Sequence, residues 1–167
     1  MKAAGFPVGQ SKVDDTQLQA ALELFTTGKV LLPIDAVVAE KFDRDSEYLT
    51  CDIGEIKNGM ILDIGPKTID RYTAILNKAK TIVWAGPIGV FEWLAFSEGT
   101  KAIAAVVANS GAFTLAAGGD SGAALVALGY KNKISYVSTG GGATLQLLEG
   151  KELPAVVALE ENEKKFP

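Results

Sequence analysis

Three short apolar runs in this chain each end in glycine. Thr81-Ile82-Val83-Trp84 leads into Ala85-Gly86-Pro87-Ile88-Gly89, Ala112-Phe113-Thr114-Leu115-Ala116 into Ala117-Gly118-Gly119-Asp120-Ser121, and Ile134-Ser135-Tyr136-Val137 into Ser138-Thr139-Gly140-Gly141-Gly142. A continuous apolar run of this length bounded by a turn signal is the pattern of a strand covered on both faces. Helical patterns follow the second and third turns directly, at 122–128 and 143–148, and another at 100–108 separates the first run from the second. Strands alternating with helices imply right-handed crossovers and a parallel sheet. The expected fold is therefore α/β, doubly wound and Rossmann-like, with a mainly parallel sheet and helices on both faces. Ligands of such sheets bind beyond the carboxyl ends of the strands, where all three glycine turns lie.

The rest of the chain fits the same plan. Residues 16–25 carry apolar side chains at 18, 21, 22 and 25, one helical face, with Gly28 as a stop. Val30-Leu31-Leu32-Pro33-Ile34 and Met60-Ile61-Leu62-Asp63-Ile64 read as strands, with a shorter one at 48–53 inside the polar stretch 41–58. A helix is expected over 69–78, with Thr68 as its N-cap and Lys78 and Lys80 at its cationic end. At 167 residues the chain fits one domain, spanning 1–167.

Composition removes several functions. The formal net charge is −4 and the cations are scattered, so no basic stripe offers itself to a polynucleotide, and nucleic acid is not an expected partner. No apolar run approaches the roughly 20 residues that span a bilayer, so no membrane partner and a cytoplasmic location are expected. Cys51 is the sole cysteine, which rules out an intramolecular disulfide and reads as a buried thiol. Histidine is absent, removing the commonest general base and any Ser-His or Cys-His pair. What chemistry remains depends on charge and positioning.

A glycine turn before a helix presents bare N–H groups at the positive end of the helix dipole, a natural seat for phosphate. The competing reading is that glycine only permits a tight strand-to-helix connection. Asp120 and Ser121 make the second turn more specific, since a carboxylate beside phosphate can hold Mg²⁺ and a hydroxyl at the helix start can donate to phosphate or cap the helix. Neither a P-loop nor a G-x-G-x-x-G fingerprint is present, which sets aside a generic dinucleotide-binding domain.

The run Thr81-Ile82-Val83-Trp84-Ala85-Gly86-Pro87-Ile88-Gly89-Val90-Phe91-Glu92 resembles a signature of phosphoglycerate kinases. In the same order as in that family follow Phe96-x-x-Gly99-Thr100, Gly118-Gly119-Asp120-Ser121 and Ser138-Thr139-Gly140-Gly141-Gly142, and Leu62-Asp63-Ile64-Gly65-Pro66 precedes them. The resemblance implies a glycolytic transferase that moves a phosphoryl group between ATP and 3-phosphoglycerate, yielding ADP and 1,3-bisphosphoglycerate, with Mg-ATP or Mg-ADP bound by the part this chain resembles. It implies that Leu62, Gly86, Pro87, Val90 and Glu92 line an adenosine pocket. Gly118, Gly119, Asp120 and Ser121 would hold phosphates, with Asp120 on Mg²⁺, and Gly140, Gly141 and Gly142 would face the transferring group.

The departures from the family pattern are Ala85 for Asn, Ala117 for the first glycine of its Gly-Gly-Gly-Asp-Thr, Ser121 for Thr, and Gln10 for Lys. Residues from Met1 resemble a region following the family's Gly-Gly-Ala-Lys segment. The expectation is thus a sheet incomplete on its N-terminal side, 3-phosphoglycerate bound through a half not present here, and no complete reaction by this chain alone. Unpaired sheet edges would favour self-association or a covering partner chain. The alternative expectation is a non-catalytic binding or structural module derived from that domain.

Overall fold

The computed structural model describes residues 1–166. They form two compact units, the first from residues 1–79 and 87–106, the second from residues 80–86 and from 107 onward.

The first unit is built on an antiparallel sheet in which β1 (Asp35–Ala39) lies between β2 (Tyr48–Asp52) and β3 (Met60–Ile64). Successive strand residues point to opposite faces, and β1 has apolar neighbours on both. Ala36 and Val38 pack with Ile53 and Ile56, while Val37 and Ala39 pack with Leu62 and Phe96. The connection at 40–47, between β1 and β2, is shorter than the dozen or so residues a parallel crossover needs, which accounts for their antiparallel pairing. The strand expected at 30–34 is not formed, and the ladder starts at Asp35. Pro33 has no N–H for a ladder, and the N–H of Ile34 donates instead to Thr68 Oγ1 at 3.0 Å.

Helix α1 (Leu18–Thr26) follows a 3-10 turn at Asp15–Gln17 and has no buried residue. Asp14 caps that turn, accepting from the N–H and hydroxyl of Thr16 at 3.0 and 2.6 Å, and these bonds hold its carboxyl below the usual pKa. Helix α2 (Pro66–Leu76) starts directly after β3, with Gly65 as N-cap and Pro66 at the first helical position. Proline is favoured there because that N–H has no intrahelical partner anyway. Thr68 is therefore not the cap but a fully buried residue of the first turn. The capping acceptor is Asp35, 1% exposed, whose carboxylate takes the N–H groups of Lys67 (3.0 Å) and Thr68 (2.8 Å) and the Thr68 hydroxyl (2.6 Å). Cys51 is half-buried, and burial with nearby Glu55 and Asp52 pushes its thiol pKa up.

The second unit holds a parallel sheet in the order β4 (Thr81–Trp84), β5 (Phe113–Ala117), β6 (Tyr136–Ser138). Helix α3 (Glu98–Asn109) leads into β5, α4 (Gly119–Ala127) follows β5, and α5 (Gly142–Leu148) follows β6. This parallel sheet with its helices establishes the expected α/β class. Ile82, Trp84, Thr114 and Ala116 are buried, whereas Val83, Phe113 and Tyr136 are 45%, 56% and 60% exposed. Thr114 and Ser135 exchange hydrogen bonds, each hydroxyl accepting the other residue's N–H at 3.1 and 2.9 Å. A further helix, α6 (Pro154–Lys165), closes the described chain. Among the described residues no helix is long and apolar enough to cross a membrane.

Candidate functional site

In the second unit the three adjacent strands are parallel and in register, Trp84 beside Ala116 and Ala117 beside Ser138. Gly86, Gly118 and Gly140 therefore all leave the sheet at its carboxyl edge. Gly118 is the N-cap of α4 and Gly141 that of α5, with φ of 99° and 49°, and neither helix has a side-chain cap. The leading N–H groups of a helix lack intrahelical partners and carry the positive end of its dipole. A Cβ built on Gly118, Gly119, Gly141 or Gly142 would meet no atom within 4 Å. The space in front of both helices is open.

Gly140 serves differently. Its N–H donates to Ser138 Oγ at 3.2 Å, Ser138 Oγ lies 2.6 Å from Thr144 Oγ1, and a Cβ at Gly140 would come within 2.8 Å of that same Thr144 oxygen. It belongs to the frame that fixes the turn, while Gly141 and Gly142 border the open side. Asp120 is exposed in the first turn of α4. Ser121 is 1% exposed, and its hydroxyl has no hydrogen-bond partner among the described residues. A buried polar atom left without a partner costs roughly 1–3 kcal/mol.

The first unit carries the other candidates. Leu62 is buried in β3, and its carbonyl accepts the N–H of Val90 at 2.9 Å. Pro87 and Val90 are half-buried and Glu92 is exposed. The Ile88 N–H donates to Thr100 Oγ1 at 2.9 Å, and the Thr100 hydroxyl donates to the Ile88 carbonyl. Sequence reasoning overlooked Phe42, which is 60% exposed with its ring 4.7 Å from that of Trp93, the residue after Glu92. The available signal was an aromatic side chain, one of two with Tyr48, within the polar stretch 41–58. A cleft of about 600 Å³ opens on the same aromatic group, lined by Arg44, Tyr48, Trp93 and Glu98 among others.

Asp63 was also overlooked. It is 2% exposed, and its two carboxylate oxygens accept the N–H of Ile64 at 2.8 Å and of Gly99 at 2.9 Å. Burial pushes its pKa up to about 6, against the lowering by these bonds. The candidates thus fall in two sets: Leu62, Pro87, Val90 and Glu92 in the first unit, and Gly86, Gly118–Ser121 and Gly140–Gly142 in the second.

A family model described as phosphoglycerate kinase matches residues 1–151, which include both sets. The chain belongs to the phosphoglycerate kinase family. It is 48% identical over 170 residues to the phosphoglycerate kinase of Geobacter metallireducens, covering 98% of this chain and 43% of that protein. To that of Clostridium botulinum it is 45% identical over 167 residues, covering 96% and 42%. The chain thus spans less than half the length of these family members. Among solved structures, the phosphoglycerate kinase of Coxiella burnetii superposes with a TM-score of 0.87 at 41% identity, covering 93% of this chain and 42% of that one. The phosphoglycerate kinase of Pyrococcus horikoshii gives 0.75 at 32% identity, covering 99% and 43%. Helix α6 lies beyond the stretch that the family model matches.

Proposed function

We propose that this chain supplies the Mg-nucleotide site of a phosphoglycerate kinase, acting in phosphoryl transfer between ATP and 3-phosphoglycerate, and that residues 1–167 make up part of one nucleotide-binding domain. The observation that carries this is the pair of uncapped helices α4 and α5, whose N-termini follow neighbouring parallel strands and whose leading glycines have open space before them. Such termini receive phosphate through backbone N–H groups. The family relationship supplies which phosphate-bearing substrate to expect.

In this reading Gly118, Gly119 and Ser121 hold phosphate oxygens, and the Ser121 hydroxyl gains the partner it otherwise lacks. Asp120 takes Mg²⁺, a hard cation commonly bound through one or two carboxylates together with substrate phosphates and water. Gly141 and Gly142 place N–H donors where charge develops on the transferring group, with Gly140 fixing their turn through Ser138, and such transfer depends chiefly on positioning and electrostatics. Leu62, Gly86, Pro87, Val90 and Glu92 receive the adenosine, and the exposed face of Phe42 suits a purine. Ala117 is 2% exposed, so its methyl is accommodated in the interior of the unit. The substitution at 117 therefore gives little support to a module that has lost its site. The acceptor, 3-phosphoglycerate, would bind through a partner half of the enzyme, in the cytoplasm where such an enzyme works.

Calorimetric titration with ADP tests this. Asp120→Ala should weaken Mg-ADP binding roughly tenfold, about 1.4 kcal/mol, and leave metal-free ADP unaffected. Absence of heat with millimolar Mg-ADP, or equal loss with and without magnesium, would overturn the reading.

A further inference from the structure

Around Asp63 the end of β3, the 88–90 segment and the head of α3 converge on one carboxylate. Its oxygens accept the N–H groups of Ile64 and Gly99. A Cβ at Gly89 would approach Asp63 Oδ1 to 2.5 Å, and one at Gly99 to 2.2 Å, so both segments pass the carboxylate at a distance only glycine allows. On either side of this contact, Leu62 accepts the Val90 N–H, and Thr100, 1% exposed, holds both backbone polar groups of Ile88. The segment is thus fastened before, at and after Gly89. Two of the residues so fastened, Leu62 and Val90, and Glu92 just beyond, are those assigned to the adenosine.

We propose that Asp63 is the positioning residue of the adenosine wall: it fixes the head of α3 at Gly99, whose neighbour Thr100 holds Ile88, and it packs against Gly89, without touching the nucleotide. The proposal rests on the nucleotide reading above. A buried carboxylate that accepts two N–H groups on separate oxygens cannot be replaced by a neutral group without turning one acceptor into a donor. The N–H of Ile64 or of Gly99 would then lose its partner, and with Gly99 the head of α3 that carries Thr100 would be loosened from β3. The retained charge is otherwise unfavourable, since burial raises the pKa of this group. The charge acting on it from α3 is that of Glu98, which pairs with Lys101 at 2.7 Å. Val37, opposite it on β1, and Ile88 to Phe91 carry no charge.

The test uses the 167-residue chain and its Asp63→Asn variant. Amide exchange without ligand should quicken roughly tenfold or more at Gly99 and, through Thr100, across 88–92 in the variant, with protection of β4, β5 and β6 unchanged. That is the scale of one lost charge-assisted hydrogen bond. Mg-ADP affinity should fall by a similar factor. Adenosine, which does not titrate in this range, should bind the wild type less well as pH falls from 7.5 to 5 and the variant equally across it. Equal exchange at 88–92 in the two proteins, or a loss of protection spread over the whole chain, would overturn the proposal. If the variant does not fold, the wild type at pH 5 supplies the same neutral group, and unchanged relative exchange at 88–92 there would also overturn it. If the wild type binds no Mg-ADP, the nucleotide reading falls, while the exchange measurement still decides what Asp63 holds.

Discussion

Helices α2 and α3, whose heads lie in the first unit, and α4 and α5 of the second begin in opposite ways. The heads of α2 and α3 are filled from within: Asp35 takes the N–H groups of Lys67 and Thr68, and Asp63 that of Gly99. Glycines there are demanded by contact, since a Cβ at Gly65 would lie 2.3 Å from the Asp35 carboxyl carbon and one at Gly99 2.2 Å from an Asp63 oxygen. The heads of α4 and α5 have glycine N-caps, no capping side chain and nothing facing their leading glycines. Where the chain provides its own anion, a helix start is architecture. Where it leaves that place open, the same physics makes a seat for an anion. Glycine content alone therefore says little, and what faces each glycine says much.

The sharpest way to break this comparison is to make the same substitution at two helix starts. Gly99→Ala, in the first turn of α3, should destabilise the chain by about 3 kcal/mol or more, because the new methyl must displace a buried carboxylate and the Ile64 side chain. In an unobstructed helix glycine-to-alanine is stabilising, so the sign alone decides. Denaturant unfolding that shows Gly99→Ala within 0.5 kcal/mol of wild type, roughly the scatter of ordinary surface changes, would erase the distinction between the units.

A smaller effect comes from the pH dependence of Asp63. Its folded pKa of about 6 lies above the 3.8 of an ordinary aspartate, so the folded chain holds this proton more tightly than the unfolded one. Its contribution to stability is full below pH 4 and is lost as pH rises through 6, amounting to about 2–3 kcal/mol at roughly 1.4 kcal/mol per unit. Subtracting the stability–pH curve of Asp63→Asn from that of the wild type should expose this slope between pH 4 and 6. A difference curve that is flat there, or slopes the other way, would show that the carboxylate is comfortable in its site. Fold stability and order at 88–92 would thus move in opposite directions as pH falls, a conflict expected of a group kept for placement.

How much of this was legible in the sequence follows the reach of each interaction. The strands ending in glycine at 84–86, 116–118 and 137–140 were readable because an apolar run and its turn are neighbours in the chain. The helix heads of the first unit were not, since Asp35 acts on Thr68 and Asp63 on Gly99 at separations of 33 and 36 residues. That is also why Thr68 looked like a cap: its local pattern fits, but the acceptor that fixes the helix start arrives from another strand, and Pro66 moves the start forward. The strand placed at 30–34 was drawn by hydrophobicity to Val30 and Leu31, which remain 39% and 43% exposed. Asp35, the actual start, is a polar residue buried only because α2 satisfies it. Phe42 gave no periodic signal at all, and α6 carries several apolar residues that the described chain leaves exposed, Val156 and Leu159 among them.

The smallest effect on stability is the one that says most about function. Gly119 stands at the first position of α4, has an ordinary backbone conformation and would give its Cβ open space. Alanine there should leave stability unchanged or raise it by up to about 1 kcal/mol, because it restricts the unfolded chain without meeting an obstacle. If the space before α4 is only solvent, nothing else should change. If it is the seat of a phosphate, the methyl occupies the surface the anion must approach, and Mg-ADP affinity should fall about tenfold or more while the protein becomes no less stable. Thermal unfolding and calorimetry on the same sample separate these outcomes. Unaltered affinity in a stable Gly119→Ala would return this glycine to the status of a turn residue and leave α5, with Gly141 and Gly142, as the remaining phosphate seat of the second unit.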